Sequence, residues 1–139
     1  SMDSGNYLTD GTWVLFEDKV VRGADPATFH QVVGLRQDGL TMRSNDSRRL
    51  AVDRGAVYFG ADRLDGADPA TFSLIAYHLR SNAPPGVATS EPGAMIAFDH
   101  RQAWRVEWTK IERFDVTEAQ LKALRADLQQ ARALAAMGW

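Results

Sequence analysis

Three histidines, His30, His78 and His100, are the side chains best suited to acid–base or metal chemistry near neutral pH. None stands in a His-x-x-x-His or Glu-x-x-His spacing, and none accompanies a Gly-x-Ser-x-Gly elbow. Catalytic and metal roles need several groups converging on one point. His78 is therefore expected as a hydrogen-bonded residue of a central strand, and His30 and His100 as solvated neighbours of turns. Asp62, Asp65 and Asp68 are closely spaced carboxylates, but their spacing does not match a calcium loop. Asp62 reads as a turn residue and Asp68 as an N-cap. No Gly-rich phosphate loop precedes a helix, so no cofactor and no metal are expected, and the chain reads as non-enzymatic.

Two other groups could contact a partner. Trp104, Val106 and Trp108 alternate onto one face of a strand, which could be a sugar-stacking platform or a stripe packed beneath a helix. Buried aromatics are the commoner case, so a core role under the C-terminal helix is expected. Arg43, Arg48 and Arg49 with Asp46 form a charged strip, of the kind found on solvated turns and at interface rims. Residues 81 to 93 carry Pro84, Pro85 and Glu91 and are the longest irregular stretch; loops of that length tend to bind or to connect. The expected partner-binding residues are thus Arg43, Asp46, Arg48, Arg49, Pro84, Pro85 and Glu91.

Composition bounds these readings. The 139 residues suffice for one domain, expected over residues 7 to 137. The net charge of −2 argues against a phosphate-backbone binder, so no nucleic-acid partner is expected. No apolar run is long enough for a membrane span. The absence of Cys removes disulfide, thiol and Cys-based zinc chemistry. Ser1-Met2 resembles a cleavage scar before a start Met; with Met2 as the native start a cytoplasmic location is expected, and with a removed signal peptide a periplasmic one.

The strongest signal is a repeat. Gly23-Ala24-Asp25-Pro26-Ala27-Thr28-Phe29 recurs letter for letter as Gly66 to Phe72. Unrelated segments would share only about 6 % identity, so the block marks a duplication with copies at residues 10–29 and 53–72. In each copy an Asp and a Gly make a turn: Asp10-Gly11 in one, Asp53 and Gly55 in the other. An apolar strand follows, Trp13 to Phe16 or Ala56 to Phe59, then a tight turn and a short strand. Asp25-Pro26 and Asp68-Pro69 then predict a short helix, with Asp capping and Pro at the first helical position. Phe29 and Phe72 are expected to seat that turn on the sheet. A degenerate third copy is expected over residues 99–115.

These residues resemble the bacterial DKNYY family, whose repeats carry an Asp-Lys-Asn turn, an aromatic pair after Val and an Ala-Asp-Pro-x-Thr-Phe block. Here Gly11-Thr12 and Arg54-Gly55 stand in place of Lys-Asn, and Leu15-Phe16 and Tyr58-Phe59 in place of the Tyr pair. The resemblance implies a bacterial, repeat-built module without catalytic residues.

Between the copies, Val32 to Leu35 and Leu40 to Met42 flank Asp38-Gly39, which predicts a hairpin. Leu74 to Leu79 reads as a central strand, Met95 to Phe98 as another. Thr117-Glu118-Ala119-Gln120 is a capping box, with Val116 and Leu121 as the staple around it. It opens a helix over 117–137, whose stripe carries Leu121, Leu124, Leu128, Ala131 and Ala135, with Leu134 beside it. The fold expected is α+β: a β-rich antiparallel sheet built from duplicated hairpin-plus-short-helix units, with one amphipathic C-terminal helix. The function expected is a bacterial protein-binding module, in the manner of an immunity or adaptor protein that neutralises a toxin. The alternative is a cell-envelope module that binds glycan or peptidoglycan.

Overall fold

The computed structural model describes residues 7–40, 49–77, 82–87, 95–107 and 109–138. The fold is β-rich α+β, with twelve strands among these residues and one C-terminal helix. They divide into two compact units. The first holds residues 7–32 and 49–72; the second holds 33–40 and the described residues from Ser73 onward. Each has its own apolar cluster.

The first unit is built from two sheets. β1 (Tyr7–Thr9), β2 (Val14–Phe16) and β3 (Lys19–Val20) form an antiparallel meander. β6 (Leu50–Val52), β7 (Val57–Phe59) and β8 (Asp62–Arg63) form the same meander in the second copy. The second sheet has one strand more. β4 (His30–Gln31), which comes directly after the first copy's identical block, pairs antiparallel with β6. The first copy thus hands a strand to the sheet of the next.

The duplication holds at the level of atoms. Val21 N–H donates to Val14 O and Leu64 N–H to Val57 O, both at 2.8 Å. Asp25 accepts from Ala27 N–H and the Thr28 hydroxyl, and Asp68 from Ala70 N–H and the Thr71 hydroxyl. The short helix predicted there does not form. Each block makes one turn, closed by Thr28 N–H to Asp25 O and by Thr71 N–H to Asp68 O, and extended chain resumes at once. Asp and Pro supply a helix start, but the ensuing strand pairing takes over the backbone before a second turn can be added. The tight turn between the middle strands needs positive φ, met by Gly60 (φ 63°) in the second copy and by Glu17 (φ 57°) in the first.

The second unit has one five-stranded sheet, ordered β12-β11-β10-β9-β5. Its members are β5 (Leu35–Arg36), β9 (Ser73–Ala76), β10 (Met95–Phe98), β11 (Ala103–Val106) and β12 (Ile111–Phe114). β10, β11 and β12 again form an antiparallel meander, and β9 joins β10 as β4 joins β6. Leu74 to Tyr77 are buried, with β9 central as expected; His78 lies outside the described residues. Asp38-Gly39 forms its turn, with Gly39 N–H on Arg36 O and Arg36 N–H on Leu40 O. β5 pairs in parallel with β9, however, and Thr41 and Met42 lie outside the described residues.

The helix α1 (Glu118–Ala136) begins with the predicted capping box: Thr117 Oγ1 accepts from Gln120 N–H, and Gln120 Oε1 from Thr117 N–H. It buries Leu121, Leu124, Leu128 and Ala131. Leu121, Leu124 and Leu128 pack with Ile75, Tyr77, Ile96, Phe98 and Ala103 on one face of the sheet. Trp104 and Val106 of the stripe are therefore core, but not beneath the helix. Trp104 is 2 % exposed and alternates with Ala103 and Arg105 onto the reverse face. Trp108 lies outside the described residues.

Candidate functional site

The charged strip and the Pro-rich stretch are only partly described. Arg43, Asp46, Arg48 and Glu91 lie outside the described residues. Arg49 serves its own unit: its guanidinium lies over the Phe16 ring at 5.0 Å and 3.7 Å from the Glu17 carboxylate. Pro84 is buried and Pro85 exposed. Pro85 O accepts from Gln120 Nε2 at 2.8 Å, and Arg105 donates to Gly86 O and Val87 O. Residues 84–87 are thereby held to the helix start and to β11. His30 and His100 are exposed, as expected. Among the described residues no three carboxylate or imidazole side chains gather as a metal site.

A feature that the sequence did not single out lies at the outer face of the first sheet. Register sets Leu8 opposite Leu15 and Leu15 opposite Val20, so these three form one apolar row across β1, β2 and β3. Trp13, two residues before Leu15, lies on the same face. Together with Thr9 and Asp10 they line a groove of about 490 Å³. Trp13 is 58 % exposed, and Leu8 and Val20 are exposed beside it. The signal was present in the alternation of Leu8, Trp13, Leu15 and Val20, but alternation alone does not tell which face is covered.

The groove's rim is set by an Asp turn that recurs in all three meanders. Asp10 Oδ1 accepts from Thr12 and Trp13 N–H, Asp53 Oδ1 from Gly55 and Ala56 N–H, and Asp99 Oδ1 from Arg101 and Gln102 N–H. Asp53 does more. Its Oδ2 accepts from Asp25 N–H at 2.8 Å and from the Tyr58 hydroxyl at 2.9 Å. That oxygen joins the first copy's block to the second copy's turn, and Arg54 N–H on Thr28 Oγ1 reinforces the joint.

The charges reflect this geometry. Burial opposes ionisation of Asp53, but hydrogen bonds from Asp25, Gly55, Tyr58 and Ala56 outweigh it and hold the carboxyl below its usual range. Asp10 is also lowered, chiefly by the Trp13 amide and then by the Thr12 amide. Burial, then the hydrogen bond to Asp53, pushes the Tyr58 phenol up to about 12. Tyr7 is likewise raised by burial, its hydroxyl lying 2.8 Å from Arg49 O and 2.7 Å from Gly60 O.

Comparison with protein-family models, with curated proteins and with solved structures finds no match to the chain. Fold and groove define a β-meander repeat protein with an apolar aromatic face at its first sheet.

Proposed function

We propose that this protein is a non-catalytic protein-binding module. The observation that carries the reading is the groove of Leu8, Leu15, Val20 and the exposed Trp13, beside a strand, β1, that has a neighbour on one side only among the described residues. A Trp on a rigid sheet is the kind of anchor that dominates protein interfaces. A strand edge next to it offers backbone hydrogen bonds to an extended segment.

The particular role proposed is that of a bacterial immunity or adaptor protein, related to the DKNYY repeats. The bacterial assignment rests on the resemblance of the duplicated Ala-Asp-Pro-Ala-Thr-Phe block, and the role on analogy with small Cys-free binding domains. The glycan alternative draws less support: Trp104 is buried, and Thr9 and Asp10 are the polar side chains in the groove's lining. Sugar hydroxyls need more partners than these. The test is capture of a partner by the intact chain and by Trp13→Ser. The intact chain is expected to retain a defined protein with a nanomolar Kd, about −12 kcal/mol, and Trp13→Ser to lose it. Equal retention by both, or turnover of a small substrate by the purified chain, would overturn the reading.

A further inference from the structure

The two copies of the first unit differ in what covers them. In the second copy, Ala56 and Tyr58 are buried against Val14 and Phe16 of the first copy, and Phe29 lies 5.6 Å from the Tyr58 ring. The first copy's counterparts of Ala56 and Tyr58 are Trp13 and Leu15, which line the open groove. In the second copy the outer edge of β6 is paired by β4, with Val32 N–H continuing onto Leu50 O at 2.9 Å. The counterparts of Leu50 and Val52 are Tyr7 and Thr9, in a strand with β2 as its one neighbour among the described residues. Asp53 Oδ2 receives the Asp25 amide; the Oδ2 of its counterpart Asp10 has no partner among the described residues. Three features that one neighbouring copy satisfies at the second copy are open together at the first, among the described residues.

We propose that this end of the protein receives a further copy of the same repeat from a partner protein. The partner supplies an Asp-Pro-x-Thr-Phe turn and the extended strand after it. The turn's Asp amide docks on Asp10 Oδ2, its Phe and sheet face cover Trp13 and Leu15, and its strand adds to the edge of β1. This partner rests on the protein-binding role proposed for the groove and gives that role its chemistry.

The test uses the full chain and a synthetic peptide with the sequence of Val21–Val33. Binding is followed at the Trp13 indole N–H resonance, identified by its loss in Trp13→Phe. The expected result is a saturable shift, weakened about 10-fold or more by Asp10→Ala in the chain, which removes a charge-assisted acceptor, and by Phe29→Ala in the peptide. A second protein carries residues 7–49 duplicated ahead of Tyr7; there the Trp13 of the downstream copy is expected to become protected from a soluble quencher. No saturable shift together with an unprotected Trp13 in the duplicated protein would overturn the proposal. Equal binding of a scrambled peptide would overturn it too, as would concentration-dependent self-association that protects Trp13 without peptide. Trp13-dependent capture of a protein lacking the block would sink this inference while leaving the protein-binding reading standing.

Discussion

Replacing Asp53 by Ala removes one side chain that four donors share, and the cost can be worked from their positions. Asp53 is 5 % exposed, and its partners are the amides of Asp25, Gly55 and Ala56 and the hydroxyl of Tyr58. The Gly55 amide lies at an exposed turn and can turn to water. The Tyr58 hydroxyl, on a residue 2 % exposed, and the half-buried Asp25 amide are orphaned. An orphaned buried donor costs about 1–3 kcal/mol, and the lost turn bonds about 1 kcal/mol more. The expected destabilisation is therefore about 3–7 kcal/mol, a large part of a typical total of about 5–15 kcal/mol. Urea titration followed by circular dichroism measures it, and Asp10→Ala is the internal control. Asp10 makes the same turn with its Oδ1 but has no second set of donors among the described residues, so its replacement should shift the midpoint far less. Equal midpoint shifts for the two variants would refute the assignment of Asp53 as the joint between copies.

The same structure sets other outcomes. Because hydrogen bonds lower the Asp53 carboxyl in the folded state, its contribution is complete above the unfolded value of about 4 and is lost as pH falls through the depressed one; acid titration of Asp53→Asn should show a shallower loss than the parent. All three tyrosines are raised, Tyr58 to about 12. Their stabilisation is complete below about pH 10 and is lost as pH rises through the folded values, so tyrosinate absorbance of the native protein should stay silent near pH 10. Any native tyrosine that ionises at its ordinary value would contradict the burial described. Asp68→Ala removes the cap on Ala70 and Thr71 and should cost about 0.5–2 kcal/mol in a denaturant titration. Gly39→Ala should cost about 2 kcal/mol or more, because Gly39 has φ 86° and an added Cβ would meet Leu134 Cβ at 2.6 Å; an unchanged midpoint would exclude that close approach.

The repeat was legible because its chemistry is local. An Asp two or three residues before a free amide, and an Asp-Pro-x-Thr block, fold the same way wherever they stand. The capping box of Thr117 and Gln120 was legible for the same reason. The short helix was not, since Asp25-Pro26 sets only a first turn, and the pairing of His30 and Gln31 with β6 draws the next residues into a strand. The side of the Trp104 stripe was also beyond local reading. Alternation places Trp104 and Val106 on one face, but which face the helix takes depends on Ile75, Ile96 and Phe98 from other strands. The groove was not legible because Trp13 and Ala56 occupy the same position in two copies, and only tertiary structure shows one covered and the other open.

The most direct test of the first copy as the open counterpart of the second is amide hydrogen exchange read residue by residue. Val52 stands opposite His30 with strands on both sides, while its counterpart Thr9 has β2 alone among the described residues. Thr9 is predicted to exchange much faster than Val52 in the free protein, and to slow when the Val21–Val33 peptide is added. Equal protection of Thr9 and Val52 without peptide, or no slowing with it, would contradict the account.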